Sequence, residues 1–413
     1  MIVLLSWIIV VLFSAWPFVA AYGLDFTGAV FESVSGWTTT GLSVVDVAVA
    51  GKMILLWRST MQLAGGAGLA IIMMSAIVGP TGVGISAAEG RGDQLVPQVG
   101  QSARLVLLIY AGYAATGTLA YTLVGMSVFD AVNHSFAAVS TGGFSTRAES
   151  VGYWNSVAVE AVTLPLMVLG NLSFVTAWLL LRGKLRYVAR NGEVRLFAFL
   201  IAVTSAAVFL ATSSGLYPQL AKSVRVAIFE TITALTTTGF STVGYGDWNS
   251  FGVLALIVLM LIGGGTCSTA GGIKQYRVYT LAKVITWELR RPFLPGKAVV
   301  ERPLWEADRK VFIDDARLRQ MSAFVFLYLA TYIVATLITA ASGFSIADSL
   351  FEAASALGTV GLSVGVTAAD APKVVLWTEI VSMFLGRLEL FVIFASALKL
   401  ARDAPVMLRG TKR

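Results

Sequence analysis

Long apolar runs, arranged in four pairs, dominate the hydrophobic pattern of this chain. The first members of the pairs lie at about 2–22, 103–126, 194–214 and 320–342, and the second members at about 53–78, 157–181, 251–281 and 374–400. As a helix, each run can cross roughly 30 Å of hydrocarbon. The pattern therefore predicts an all-α polytopic membrane protein with eight transmembrane helices.

A recurring motif lies between the two members of each pair. In three copies Phe-Glu precedes a Thr-x-Gly string, and ten positions separate the Phe from the Gly. These three pairs are Phe31 and Gly41, Phe229 and Gly239, and Phe351 and Gly361. In the remaining copy Asn133-His134 replaces Phe-Glu, and the same spacing leads to Gly143. Equal spacing in all four quarters predicts four tandem copies of one unit.

Each unit is predicted to be a helix, a re-entrant pore helix and a second helix (M1-P-M2), because the segment before each TxG string is too short to span. The predicted units are 1–80, 102–182, 193–285 and 320–400, with a basic cytoplasmic linker at 286–319 and a cytoplasmic tail at 401–413. Re-entrant backbone at membrane depth must be buried in protein or line a water-filled cavity. Four such segments predict a central aqueous pathway; the alternative is four ordinary extracellular loops.

Composition and charge agree with a membrane protein. The 413 residues are 57% apolar and 13% charged, and a single Cys and a single His argue against disulfide or metal-cluster chemistry. The net charge of +7 comes from Lys and Arg concentrated between units, which indicates topology rather than nucleic-acid binding. The TxG strings are therefore predicted to face outward and both termini to be cytoplasmic. The first run lacks a basic n-region, which favours a spanning helix over a signal peptide.

The TxG strings are the candidate ligands of a transported cation. Glycine lets a backbone approach an axis without a side chain, and four inward-facing carbonyl strands can replace the hydration shell of a potassium ion. The candidate filter residues are Thr39, Thr40, Gly41, Thr141, Gly142, Gly143, Thr237, Thr238, Gly239, Thr359, Val360 and Gly361. Glu32, Glu230 and Glu352 are expected at the helix starts, as is His134, with the negative helix ends facing the strings.

A potassium-channel signature, Thr-Val-Gly-Tyr-Gly, lies just after the third string at residues 242–246. The other three copies have no counterpart, and one strand cannot form a fourfold cage. We therefore expect this pentapeptide at the outer mouth, with its glycines in a turn, and the filter at Gly239.

The second helix of the third unit is predicted to break at a glycine-rich stretch. Each Gly costs a helix about 1 kcal/mol relative to Ala, and such a break at membrane depth points to a transport site. The candidate gate residues are Gly263, Gly264, Gly265, Thr266, Ser268, Gly271, Gly272 and, in the last helix, Arg387. The hypothesis is a movable loop beneath the filter; the alternative is a seam of small residues between packed helices.

Arg387 is a second intramembrane feature, because a charge within an apolar helix is costly and marks a functional candidate. A guanidinium facing the pore would repel cations from the inner cavity. The alternatives are a structural pair with Glu379 or Glu389, or snorkelling to the inner interface.

With these strings, the chain resembles the Trk/Ktr/HKT superfamily of potassium transporters over nearly its whole length. Residues 268–274 (STAGGIK) look like the family's gate loop, and residues 385–389 (LGRLE) look like its last-helix arginine motif. The resemblance implies potassium uptake across the cell (inner) membrane by a homodimer on a cytoplasmic ring of nucleotide-binding, TrkA/KtrA-like regulatory subunits. No cofactor is expected on this chain itself.

Two alternatives to gated potassium uptake stay open. A sodium-permeable or sodium-coupled carrier would use the same architecture, although plant members that pass sodium carry Ser at the first filter position, where this chain has Gly41. A membrane-embedded enzyme would need paired acids, bases or nucleophiles among the spans, and the sequence offers almost none.

Overall fold

The computed structural model describes residues 2–68, 99–293, 295, 303–306, 309–312 and 315–388, together with 390, 391, 393, 394, 396, 398, 399 and 402. Four parts of the sequence predictions lie outside the described residues. They are the C-terminal part of the first predicted unit, parts of the predicted linker 286–319, the residue Glu389, and nearly all of the predicted tail 401–413.

Helices account for most of the described chain. They are α1 Ile2–Pro17, α2 Phe26–Trp37, α3 Lys52–Ala67, α4 Val99–Leu123, α5 Val128–Val139, α6 Val157–Asn171, α7 Phe174–Leu181, α8 Leu185–Arg190, α9 Gly192–Val208, α10 Ser214–Leu216, α11 Leu220–Leu235, α12 Ser250–Ile262, α13 Gln275–Arg290, α14 Asp315–Ala341, α15 Ile346–Gly358 and α16 Lys373–Arg387. Two π-helical turns, Phe18–Tyr22 and Phe209–Ser213, extend α1 and α9.

Four helical stretches among the described residues are long and apolar enough to cross a membrane. They are Leu4–Tyr22, Arg104–Leu123, Gly192–Leu216 and Asp315–Ala341. Each coincides with the first member of a predicted pair. Between 11 and 33% of each stretch is buried inside the protein, so most of its apolar surface faces outward, as a lipid-facing helix requires.

The helices that follow the TxG strings are shorter, and one of them breaks where a continuous helix was predicted. The run at 157–181 forms α6 and α7, which meet at a bend of 119°. Ser173 starts the new helix by accepting a hydrogen bond from Thr176 N at 3.1 Å, and Phe174 N donates to Cys267 O at 3.2 Å. These partners replace the helical bonds that the break removes, so the sharp bend leaves these groups paired.

A small antiparallel hairpin corrects the prediction of an all-α chain. Its strands, β1 Pro303–Glu306 and β2 Arg309–Phe312, lie within the predicted linker, and α13 extends into the same region as far as Arg290. Leu304 on β1 is fully buried in a cluster with Tyr276 and Met321. The hairpin is therefore packed against the helical body.

The four short helices α2, α5, α11 and α15 form the inner layer. Residues 27–36 of α2 are all buried, as are residues 351–358 of α15. Each short helix packs on the helix that follows the preceding TxG string: α5 on α3, α11 on α6, α15 on α12, and α2 on α16. The last contact closes the circle between the two ends of the chain.

An ion pair joins the N-terminal ends of α2 and α16. Asp25 caps α2 by accepting a hydrogen bond from Gly28 N at 2.8 Å, and Lys373 Nζ lies 2.9 Å from its carboxylate. The Gly28 N–H bond, followed by the bond and charge of Lys373, holds the pKa of Asp25 below its ordinary value. The contact is solvent-exposed, so it orients the two helices more than it stabilises them.

Candidate ion pathway

The four TxG strings share one backbone conformation. The first residue of each string has a left-handed φ, between 50 and 55°, and the closing glycine has a positive φ between 72 and 98°. The first residues are Thr39, Thr141, Thr237 and Thr359, and the glycines are Gly41, Gly143, Gly239 and Gly361. A β-branched residue at positive φ is an uncommon, strained conformation. Its occurrence at four equivalent positions indicates that the surroundings impose it.

Each short helix ends at its string in the same way. The N–H of the second string residue donates to a carbonyl five positions earlier, at 2.8 to 3.0 Å. These bonds are Thr40 to Ser35, Gly142 to Ala137, Thr238 to Thr233, and Val360 to Ser355. The helix C-termini, with their partial negative charge, therefore lie next to the strings, where they favour a cation.

The strings meet in a closed ring. A β-carbon added to the closing glycine of one string would overlap the carbonyl oxygen of the next string's second residue. The pairs are Gly41 with Gly142 O, Gly143 with Thr238 O, Gly239 with Val360 O, and Gly361 with Thr40 O. Only glycine allows such close approach. Four segments that are far apart in the sequence thus come together around one axis.

The glycine loop, residues 263–274, lies directly against this ring. Gly271 N donates to Thr237 Oγ1 at 2.7 Å, and Thr141 Oγ1 donates to Thr269 Oγ1 at 3.1 Å. A β-carbon on Gly271 would overlap the hydroxyl of Thr359. The loop therefore touches the first residue of three of the four strings.

The glycine loop is pinched shut at its base. Gly264 N donates to Gly271 O, and the N–H groups of Ile273 and Lys274 donate to carbonyls at the end of α12, all at 3.0 Å. Gly263 and Gly272 have positive φ, and their α-carbons pack so closely that a β-carbon on either would overlap the other. The predicted break is thus a compact hairpin-like insertion rather than a loose linker.

The tip of the glycine loop contacts the bend between α6 and α7 and the first turn of α9. Gly265 N donates to Asn171 Oδ1 at 3.2 Å, and Thr266 N donates to Glu193 Oε1 at 3.0 Å. Asn171 and Glu193 were not singled out from the sequence. Asn171 was detectable in principle, as a polar residue inside a predicted apolar span.

Arg387 connects the glycine loop to the opposite side of the ring. Its Nη1 donates to Thr269 O and its Nη2 to Gly65 O, both at 2.6 Å. Gly65 lies on α3 and Thr269 in the loop, so one guanidinium joins the first, third and last parts of the chain. Glu379, one proposed partner of this arginine, accepts a hydrogen bond from Thr367 Oγ1 at 3.1 Å.

The three glutamates lie in the middle of their helices, not at the starts as predicted. Asp25 and Ser345 cap α2 and α15 instead, and α11, which carries Glu230, begins after Gln219 without a side-chain cap. Glu32 accepts from Ser43 Oγ and Val44 N, both at 2.6 Å, and Glu352 accepts from Ser363 Oγ at 2.6 Å and Thr367 N at 2.8 Å. Each carboxylate thus binds the segment that follows its string and holds that segment against the short helix. This role needs a position in the middle of the helix.

His134 performs the same role in the second copy. Its Nε2 lies 2.9 Å from Ser145 Oγ, the serine equivalent to Ser43, and its Nδ1 lies 2.8 Å from Asp130 O. The ring stacks on Phe240 with centroids 5.6 Å apart. The imidazole therefore replaces the carboxylate while the fastening to the serine is kept, and His134 also lies inside its helix rather than at the start.

The channel-like pentapeptide provides the hydrogen-bond donors for the third glutamate, Glu230. Glu230 accepts from Thr242 N at 2.9 Å, from Thr242 Oγ1 at 2.7 Å and from Tyr245 OH at 2.5 Å. Thr242, Val243, Gly244 and Tyr245 line a cavity of about 710 Å³ that also borders all four closing glycines. Gly246 lies in a turn, but neither Gly244 nor Gly246 has the positive φ that demands glycine.

Two buried polar residues of α3 were missed by the sequence analysis. Arg58 bonds Glu32 Oε2 at 3.1 Å and Ser43 Oγ at 2.7 Å, and its guanidinium lies over the ring of Phe144. Gln62 reaches the second string. Both interrupt a predicted apolar span, and that is the signal by which they could have been found.

The long apolar helices and their outward-facing side chains are those of an integral membrane protein, and the family comparison agrees. The sequence profile named TrkH, described as cation transport protein, matches residues 1–404. This chain belongs to that family.

Curated relatives cover nearly all of the chain. It is 30% identical to an uncharacterized cation transporter of Methanocaldococcus jannaschii, with 95% of this chain and 81% of the relative aligned. It is also 30% identical to the Trk system potassium uptake protein TrkH of Halomonas elongata, over 95% of this chain and 83% of the relative. The crystal structure of the potassium transporter TrkH from Vibrio parahaemolyticus matches with a TM-score of 0.82 and 28% identity, over 96% of this chain and 83% of the other.

The fastening of Glu230 can be tested by stability. Replacing Tyr245 with Phe removes a buried hydrogen bond to a carboxylate, which contributes about 1.5–3 kcal/mol, so Tyr245→Phe should lower the thermal unfolding midpoint of purified protein in detergent. Tyr153→Phe is the matched control, because Tyr153 is half exposed. Equal midpoints for the two variants would contradict the assigned role.

Proposed function

We propose that this chain takes up potassium across the cell membrane through one gated, channel-like pore whose selectivity filter is the ring of four TxG strings. The closed ring carries the proposal: each closing glycine contacts the preceding carbonyl of the next string, from the first to the fourth and back. Potassium uptake is also the activity named for the relatives from Halomonas elongata and Escherichia coli.

The filter works by replacing the water around the ion. Carbonyl oxygens at the second string residue and hydroxyls at the first can coordinate a dehydrated monovalent cation, with selectivity set by the size and field of the cage. The four short helices add the negative ends of their dipoles. The potassium ion is the transported substrate, and its only proposed site is the filter.

The proposed architecture is four M1-P-M2 units with eight membrane crossings. Four long helices match the first helix of each unit, the short inner helices match the pore helices, and α3, α6 with α7, α12 with α13, and α16 supply the second helices. The excess of basic residues between units supports outward-facing strings and cytoplasmic termini in the inner membrane.

The glycine loop and Arg387 together are the proposed gate. The loop contacts three of the four strings and Arg387 holds it to α3, so an ion leaving the filter toward the interior would meet this loop. Opening requires the loop to leave the strings, and the pinched base at Gly263 and Gly272 provides a fixed point about which it can move.

The proposed assembly is a homodimer on a cytoplasmic ring of nucleotide-binding, TrkA/KtrA-like regulatory subunits. The names of the Trk system relatives support a multi-component system. On this chain, α13 and the hairpin follow the gate loop directly, so a partner that binds there could pull on the loop.

Potassium-limited growth tests the function. A transport-deficient bacterium expressing this chain should regain growth, with or without candidate regulatory subunits. Uptake into liposomes, compared for potassium, rubidium, sodium and lithium, separates selective uptake from a sodium-permeable carrier. Failure to restore growth under either condition, with the protein present in the membrane, would count against the proposal.

The register of the filter gives a second prediction. Gly239→Ser should abolish discrimination of potassium from sodium, because Gly239 has a φ of 82° and a β-carbon there would overlap Val360 O. Gly244→Ser is the matched control, since its β-carbon would meet no described atom within 4 Å. The measurement is the ratio of rubidium to sodium uptake. Altered selectivity in Gly244→Ser with normal selectivity in Gly239→Ser would reverse the assignment.

The gate gives a third prediction. Arg387→Ala should speed flux several-fold, because two hydrogen bonds that hold the loop are lost. Arg387→Lys keeps the charge, but one ammonium does not reproduce the forked contact with two carbonyls, so its flux should also rise. Wild-type flux in Arg387→Lys with fast flux in Arg387→Ala would indicate a purely electrostatic barrier. Thr378→Ala, at a half-buried position of α16 where the hydroxyl donates to Val374 O of the same helix, should behave as the wild type.

A further inference from the structure

The second string differs from the other three at its middle residue. Thr40, Thr238 and Val360 occupy this position in the other strings, and Gly142 occupies it here. The backbone does not require the glycine, because Gly142, unlike Gly143, has no positive φ. The reason for a glycine at 142 must therefore lie in what surrounds it.

Gln62 from α3 occupies the space that a side chain at 142 would fill. A β-carbon on Gly142 would overlap the Gln62 amide group, whose Cδ, Oε1 and Nε2 are its three nearest atoms. Gln62 is fully buried. Its Nε2 donates to Gly142 O at 2.5 Å, and its Oε1 accepts from Phe144 N at 3.2 Å. One amide thus holds the string on both sides of Gly143.

In the other strings, the middle residue supplies its own support. The hydroxyls of Thr40 and Thr238 each lie 2.8 Å from the hydroxyl two positions earlier, Thr38 and Thr236. Val360 is fully buried in the core cluster around α12 and α15. The second string has Ser140 at the position of Thr38 and Thr236, but Gly142 has no side chain to meet it.

We propose that Gln62 is a positioning residue of the ion filter. Its side chain, which comes from α3, takes the place of the side chain that the second string lacks at Gly142. The inference rests on the proposed filter. The amide carries a donor and an acceptor, and the string offers a carbonyl and an N–H in matching positions. Glutamate in its ionised form has no donor for Gly142 O, and a buried charge would be costly, so the role is specific to the amide.

Four variants of the full-length protein test this role: Gln62→Ala, Gln62→Glu, Gly142→Thr, and the double variant Gln62→Ala with Gly142→Thr. The measurement is the ratio of rubidium to sodium uptake in liposomes. Both substitutions of Gln62 should lower the ratio roughly three- to tenfold, the equivalent of about one hydrogen bond. Thr60→Ala, on the exposed face of the same helix, is the control and should leave the ratio unchanged.

The double variant is the decisive arm. Gly142→Thr alone should disrupt the filter, because its side chain overlaps Gln62. In the double variant the threonine fits the vacated space and can pair with Ser140, as Thr40 pairs with Thr38, so the ratio should recover above that of either single variant. An unchanged ratio in Gln62→Ala, or no recovery in the double variant, would overturn the role.

A second measurement separates this inference from the proposed function. Thermal unfolding of the same variants, with and without potassium chloride, reports the coupling of residues 62 and 142 without any transport. Wild-type protein that fails to discriminate potassium would refute the filter. A third result is also informative: the wild type is selective, the changes in unfolding midpoint at residues 62 and 142 are non-additive, and Gln62→Ala leaves the uptake ratio unchanged. This result would show that Gln62 supports the fold alone, which also overturns its positioning role.

Discussion

The close approach of four glycine α-carbons to four neighbouring carbonyls is the constraint on which this structure depends. Each glycine follows a different short helix, so the contacts can form only when all four short helices converge. The cyclic packing of each short helix on the helix after the preceding string produces that convergence. A larger residue at any closing position would force the backbones apart, which ties the geometry of the pathway directly to the packing of the whole bundle.

The strained backbone of the ring is stabilised by side chains of the short helices. Each left-handed first residue is followed by a segment that a buried side chain of the short helix fastens: Glu32, Glu230 and Glu352 in three copies, and His134 in the other. A carboxylate and an imidazole can both do this, because each offers a hydrogen-bond partner to the serine or threonine hydroxyl that follows the string. Buried polar groups are tolerated here because they are hydrogen-bonded.

The repeated spacing was sufficient to locate the four strings, and the contacts that close their ring do not involve the channel-like pentapeptide. It did not show why that pentapeptide exists, since Thr242 and Tyr245 are explained by Glu230, which lies twelve and fifteen residues earlier and meets them only after folding. The glutamates were placed at helix starts because a charge suits that end of a dipole. The capping residues Asp25 and Ser345 occupy the ends of the helices that carry Glu32 and Glu352, so in these two helices a more specific contact prevailed over a general electrostatic preference.

The sequence by itself determined the class of protein, the fourfold motif, the broken helix before Lys274 and the isolated charge of Arg387 in an apolar run, because apolar length, spacing and isolated charges are local properties of the chain. Tertiary structure alone decided the bend after Asn171 and the partners of Arg387 and Gln62. Those features depend on contacts between residues as many as 322 positions apart. Pairing at such separations is set by how the helices pack, and no local pattern in the sequence records it.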